Sequence, residues 1–177
     1  MHSNVPPPFA ELLRACQSSA VHLEMRDQYA VTDEADDYAR WKATGERDTD
    51  PGSEYWAPWV DLISSARARG VEVRRARIVS EPVSEYIRYE HAATDVNVLA
   101  GEQVRWLPRH QAAADIGLPA NDFWLFDRRL IRWGYFAGDG NSIGHALDDD
   151  PDAVRRCAAA FEAVWLDAVP HDEYKIH

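Results

Sequence analysis

ANDFWLFDRRLIRWGYF, residues Ala120 to Phe136, reads as two hydrophobic strands joined by a short charged connection. Phe123, Trp124, Leu125 and Phe126 follow one another without a polar break, as expected of a strand covered on both faces. Asp127-Arg128-Arg129 is the connection. Leu130, Ile131, Trp133, Tyr135 and Phe136 make the return strand, rich in aromatic and β-branched residues.

Around this hairpin the pattern alternates between helix and strand. Phe9 to Gln17 is a short helix, with Phe9, Leu12, Leu13 and Cys16 on one face. Ala20 to Met25 alternates as a half-buried strand. Asp33 to Thr44 is a helix with acidic residues in its first turns, where they complement the helix dipole. Glu46 to Ser53 is a polar loop; it is the best candidate for a mobile flap, although we favour a plain surface loop. Tyr55 to Arg69 is a helix with Trp56, Trp59, Val60, Ile63 and Ala66 on one stripe. Val71 to Val79 is a strand with an apolar middle and arginines reaching outward.

Ser80-Glu81-Pro82 is read as the start of a helix running to about Ala93, with Ser80 as its cap. Asn97 to Gly101 is then a connection and Gln103 to Leu107 a short strand. One or two helical turns span Arg109 to Asp115. Ile143 to Leu147 is a short edge strand after a glycine-rich turn. The last helix is the clearest, with Asp150 as N-cap, Pro151 at its first position and apolar residues at threes and fours from Val154 to Ala168. Residues 1–8 form an extended lead-in and 170–177 a frayed polar tail. The whole, 1–177, is one domain of α/β (α+β) class, a mixed β-sheet flanked by helices.

Composition narrows the function. A net charge of −11 argues against the domain itself gripping nucleic acid, because phosphate neutralisation needs clustered Lys and Arg. Charge of this size serves solubility first, and it also suits a basic protein surface. Cys16 and Cys157 lie among apolar neighbours as free thiols, no apolar run approaches a membrane span, and MHSNVPPPF lacks a secretory pattern. A cytoplasmic chain is the expectation. Gly138-Asp139-Gly140 is a tight turn and not a phosphate loop. The histidines show no metal-ligand spacing and no G-x-S-x-G elbow is present, so no cofactor or metal is expected.

The densest polar helix face carries Glu81, Glu85, Arg88 and His91, and a carboxylate beside a histidine suits acid–base work. The plain alternative is a solvated pair, worth about 0.2–0.5 kcal/mol at that spacing. Arg67, Arg69, Arg74, Arg75 and Arg77 form a basic stretch able to hold an anion. We favour internal pairing with the acidic segment Asp27 to Asp50.

The segments SEPVSEYIRYEH (Ser80–His91), VRWLPR (Val104–Arg109), NDFWLFDRRL (Asn121–Leu130) and FEAVW (Phe161–Trp165) resemble an uncharacterised actinobacterial domain-of-unknown-function family, found near helix-turn-helix regulators. More distantly, the hairpin resembles one half of the phospholipase D-like fold, in which a strand bearing His-x-Lys, four further residues and Asp leads into a hairpin. With Asp127 at the Asp position, Asp122 stands at the lysine place and Ala120 at the histidine place. Without the nucleophile and its cation that chemistry has no route, so the resemblance implies an inactive phospholipase D-like half-domain.

The resulting expectation is a non-catalytic regulatory domain that binds a protein partner, such as a helix-turn-helix transcriptional regulator, through strand edges at Gln103–Trp106 or Ile143–Leu147. The alternative is a small-ligand sensor or enzyme with a pocket around Glu85, Arg88 and His91, closed by Trp106 and Trp124 near Asp127. A homodimer is a third expectation.

Overall fold

The computed structural model describes residues 6–177; residues 1–5, most of the expected lead-in, lie outside the described residues. The helices are α1 (Phe9–Ala15), α2 (Ala35–Thr44), α3 (Ala57–Ala68), α4 (Glu85–Ala100) and α5 (Pro151–Asp167). The strands are β1 (Ser19–Glu24), β2 (Glu72–Val79), β3 (Gln103–Pro108), β4 (Asp122–Phe126), β5 (Leu130–Phe136), β6 (Ser142–Asp148) and β7 (Val169–Pro170). They build one seven-stranded mixed sheet in the order β6-β5-β4-β1-β2-β3-β7. β1, β2 and β3 are parallel, and β4 joins β1 antiparallel. The mixed sheet flanked by helices is the architecture that the strand–helix alternation predicts.

The hairpin lies where its hydrophobicity requires. All five residues of β4 are buried. Phe123 and Leu125 pack on one side with Phe161, Val164 and Trp165 of α5. Trp124 and Phe126 pack on the other with Phe9 and Leu13 of α1 and Ile63 of α3. At the tip Asp127 and Arg128 hold φ of 50° and 53°, left-handed values that suit a tight hairpin turn. Asp127 tolerates that conformation because its carboxylate is fully used. It accepts from the backbone N–H of Gln17 at 3.0 Å, of Ser18 at 2.7 Å and of Ser19 at 3.1 Å, and from the Ser18 hydroxyl at 2.9 Å. One side chain thereby ties the turn between α1 and β1 to the hairpin.

Four expectations are corrected. β1 is covered on both faces and not half-buried: it sits mid-sheet, and Ala20, Val21 and Leu23 are all buried. The arginines of β2 do not reach outward; Arg75 is 8% exposed and Arg77 4%. Helix α4 starts later and ends later than its sequence suggests. Its cap is Ser84, whose hydroxyl accepts from Ile87 N–H at 3.1 Å, while the Ser80 hydroxyl donates to Asp27 at 2.6 Å. The helix runs through the expected connection to Gly101, because Asn97 donates its side-chain amide to Glu102 at 2.7 Å and does not turn the chain.

The fourth correction is the tail. Residues after α5 add β7 beside β3 and then dock. Trp106 Nε1–H donates to His171 Nδ1 at 3.1 Å, and the Tyr174 ring stacks on Trp106 at 5.5 Å between centroids. Two aromatic rings and a buried indole donor hold the segment in place.

Replacing Asp127 with Ala removes the acceptor of three backbone N–H groups, two of them on the exposed residues Gln17 and Ser18, where water can take its place. We expect a loss of about 1–2 kcal/mol in urea unfolding at pH 7. Burial pushes the Asp127 carboxyl up, but hydrogen bonds from Cys16, Ser18, Gln17 and Ser19 outweigh it and hold the group well below the usual carboxylate range. Its stabilisation is therefore complete above the ordinary carboxylate pKa and fades as pH falls toward the depressed value. The gap between wild type and Asp127→Ala should narrow at pH 3.

Candidate functional site

The face of the sheet beneath α3 and α4 carries charge where a core is usually apolar. His22 and Glu24 of β1 stand beside Arg75 and Arg77 of β2 in register. Strand residues two apart share a face, so these four side chains point to the same side, while Arg74 of β2 points to the other, toward α5. Glu24 Oε1 lies 2.9 Å from Arg75 Nη1, and its Oε2 lies 2.7 Å from Arg77 Nε. Arg75 Nε also donates to Glu102 at 2.8 Å, and Arg77 Nη2 lies 2.7 Å from Glu90. Burial pushes the Glu24 carboxyl up, but Arg77 and Arg75 outweigh it and bring it down to about 2. The contact between Arg77 Nε and Glu24 is an ion pair only, since that N–H is not aligned on the carboxylate.

The network continues into the segment between β1 and α3, which crosses over this face. Arg47 is ion-paired with Asp37 and lies 4.0 Å from Glu90, with its guanidinium 3.5 Å from the centre of the Tyr89 ring. The Trp56 indole donates to Asp48 carbonyl at 2.9 Å. Two anchors therefore hold the polar loop at 46–53, read from sequence as a plain surface loop in preference to a mobile flap, against this face as a strap. At its other end Ala30 N–H donates to Gly140 carbonyl at 2.9 Å. Gly140 has φ of 90°, and a Cβ there would meet Ala30 N at 3.1 Å, so only glycine admits the strap so closely.

A cleft of about 500 Å³ opens between strap, α3 and α4. Arg75, Arg77 and Glu90 lie at its base; Tyr55, Trp56 and Trp59 supply aromatic walls. Glu34 stands between it and a second cleft of about 340 Å³ that includes Tyr29, Tyr38 and Tyr86. Tyr55 and Tyr86 hydroxyls donate to the Glu34 carboxylate at 3.1 and 2.9 Å. Burial, then the nearby Glu90, raise Glu34 to about 7.

The six residues singled out from sequence do not share a cavity. Glu85 and Arg88 lie on the exposed face of α4. His91 is inside the tail-docking cluster, its ring 4.6 Å from that of His171. Trp106 is fully buried there, Trp124 belongs to the core beneath α1 and α3, and Asp127 is the anchor at the hairpin tip. Asp122 and Asp127 occupy opposite ends of β4, roughly 17 Å apart by strand rise. Asp122 accepts from Tyr29 hydroxyl and from Met25 N–H, and burial raises it to about 6. The basic stretch does pair internally, but largely outside the expected acidic segment: Arg74 meets Glu162 at 2.8 Å, and Arg75 and Arg77 take glutamates 24, 90 and 102.

Sequence reading singled out Arg75 and Arg77 within the basic stretch; what it missed is their setting among Glu24, Glu34, Arg47, Trp59 and Glu90. One signal was available: β1 alternates apolar Val21 and Leu23 with polar His22 and Glu24, and β2 carries two arginines, Arg75 and Arg77, on one face. Among the described residues no group of three or more His, Cys, Asp or Glu is placed to hold a metal ion, and no helix is long and apolar enough to cross a membrane.

Folding raises the Glu34 pKa, so the native state favours its protonated form. Wild-type stability should therefore fall as pH rises from the ordinary carboxyl value through about 7. Glu34→Gln keeps the neutral shape. We expect it to melt above wild type at pH 8 and level with it at pH 4, as scanning calorimetry would read.

The fold has known counterparts. Nuc from Salmonella typhimurium, a phospholipase D family member, superposes with a TM-score of 0.52 at 10% identity, over 91% of this chain and 86% of that one. NucT from Helicobacter pylori superposes with a TM-score of 0.50 at 12% identity, over 91% and 87%. These likenesses bear out a phospholipase D-like fold. No curated protein matches the sequence. The chain belongs to the family described as a domain of unknown function, DUF6879, which matches residues 7–176.

Proposed function

We propose that this chain is a non-catalytic regulatory domain on a phospholipase D-like scaffold, and that it works by binding a protein partner along β6. One observation carries the reading. β6 is a seven-residue strand at the end of the sheet, with β5 on one side and, among the described residues, no strand on the other, only a single bridge from Ala30 to Asn141 just before it. The opposite edge is closed by β7, only two residues long. Edges are commonly guarded by shortness, lysine or proline; β6 has neither residue, and it presents Ile143 at 68% and Leu147 at 37% exposure. A bulge between Tyr135 and Phe136 disturbs its start and leaves Gly144 to Asp148 in regular register with β5.

Asp139 precedes the strand, and Asp148, Asp149 and Asp150 end and follow it. Those carboxylates disfavour an acidic strand, including a second copy of this acidic chain. They suit an extended segment with basic residues flanking apolar ones, added as a further strand. A basic arm of a helix-turn-helix DNA-binding regulator has that chemistry. The absence of catalysis is supported by Ala120 and Asp122 at the places of the nucleophile and its cation. Asp122 is also already engaged by Tyr29 and Met25.

The test is an amide-shift titration with an eight-residue peptide of alternating valine and lysine, beside one of valine and glutamate. Shifts concentrated in Gly144 to Asp148 with the basic peptide alone, weakened in Ile143→Lys, are expected. Shifts elsewhere, or equal response to both peptides, would overturn the docking edge. A dimer in light scattering that Ile143→Lys dissolves would put a second copy there in place of a partner. Turnover of bis(p-nitrophenyl) phosphate above background would end the non-catalytic reading.

A further inference from the structure

Gly134 opens a gap in the sheet face that also carries His22 and Glu24. Its cross-strand neighbours are Asp122 on β4 and His145 on β6. Arg132 and Phe136 stand two residues to either side of it on β5, so four side chains rise on one face around a residue that has none. A cavity of about 130 Å³ occupies this gap, with Trp124 and His22 completing its lining. The nearest atoms to a Cβ placed on Gly134 are the Phe136 ring at 3.2 Å and the Asp122 carbonyl at 3.7 Å, so Arg132 and His145 stand back from the floor. The two are diagonal neighbours across β5 and β6, a spacing of roughly 7–8 Å that a small ligand can bridge.

Arg132 is the arginine of this face that the glutamate network leaves out. Among the described residues no carboxylate pairs with it and no acceptor takes its N–H groups. Its Nε is buried without a partner, while its Nη groups keep contact with solvent. Burial alone acts on the guanidinium and pulls its pKa below the ordinary arginine value. A half-buried charge with no counter-charge is what an incoming anion relieves.

His145 adds a conditional donor. Its Nδ1 lies 3.3 Å from the Trp133 carbonyl, which only accepts, so Nδ1 carries the proton and Nε2 of the neutral ring is bare. Nε2 donates once the ring is protonated. Burial, then Arg132, hold the His145 pKa down, and an anion beside Arg132 cancels the second effect. The Asp122 carboxylate is committed elsewhere, accepting from the Tyr29 hydroxyl and from Met25 N–H. One guanidinium and one imidazolium with that carboxylate nearby favour a monoanion over a dianion. The guanidinium fork matches the two coplanar oxygens of a carboxylate. Phe123, Trp124 and Phe136 supply apolar walls for a short hydrocarbon body.

We propose that the gap above Gly134 is a binding site for a short-chain aliphatic carboxylate, held by the Arg132 guanidinium and by protonated His145. The site uses the sheet face and leaves the free backbone of β6 untouched, so it and the docking edge can fail separately.

Affinity should fall as pH rises. His145 then loses its proton, and Asp122, raised to about 6, gains its charge. The other groups around the cavity do not change between pH 6 and 8. His22 is held near 3 by burial and stays neutral, and Glu24, brought to about 2, stays charged. Tyr29 is pushed up by burial and stays neutral, and Arg26 lies over the Phe136 ring with a bond to the Ala137 carbonyl.

The experiment titrates the full chain with propionate at constant ionic strength, read by thermal shift and by the Arg132 Nε–H resonance, with propionamide and inorganic phosphate as parallel arms. Saturable millimolar binding of propionate at pH 6, about tenfold weaker at pH 8, is expected, with weaker binding of phosphate and none of the amide. Arg132→Gln removes a charge that has no partner in the free protein, so it should melt at or above wild type yet lose propionate binding. His145→Gln should weaken binding at pH 6 and flatten the pH dependence, and it carries the test if Arg132→Gln does not fold. The proposal is overturned if propionate gives no saturable signal, if phosphate or the amide binds as tightly, or if the folded variants bind like wild type.

Discussion

Glu24, held between Arg75 and Arg77 on the middle strands, sets the terms for everything stacked on that face. Removing such charges from water costs several kcal/mol per ion, and only close, well-directed partners offset it. β1 supplies one carboxylate for two guanidinium groups, so others must come from elsewhere. Glu102 arrives from the start of β3 and Glu90 from α4. Glu90 and Asn97 lie seven residues apart, two helical turns, and both face the network. The orientation of α4 about its own axis follows from that demand as much as from its apolar residues. Arg47 then extends the same network outward and fastens the strap, so the cleft is bounded by the charges it covers. Apolar residues of similar volume would often do as well for stability alone.

Much of the fold was legible, and the reasons are local. The hairpin has an unbroken apolar strand on one side of a charged tip, and α5 carries cap, proline and apolar stripe in order. Features that depend on distant partners were not legible. Ser80 looks like a helix cap because serine before proline often is one; only the folded chain brings Asp27 to claim its hydroxyl. β1 reads as half-buried because His22 and Glu24 are polar, and a sequence does not reveal that β2 brings arginines alongside. The tail from His171 has the composition of a frayed end, yet Trp106 provides a donor and a ring for it to dock on.

The candidate site was less visible for a related reason. Glu85, Arg88 and His91 drew notice because polar residues crowd one part of a helix, and crowding of that kind marks the face turned to water. The buried charges are dispersed: one glutamate on β1, two arginines on β2, one glutamate on α4, one arginine on the strap. No window of sequence holds more than two of them.

The sheet order also bears on synthesis. In synthesis β2, the parallel neighbour of β1, follows it about fifty residues later, but the antiparallel neighbour β4 ends at Phe126, about a hundred residues on. At translation rates of 5–20 residues per second, that delay is roughly 5–20 s. Throughout it the nascent chain presents Val21 and Leu23 on a strand with one side unzipped.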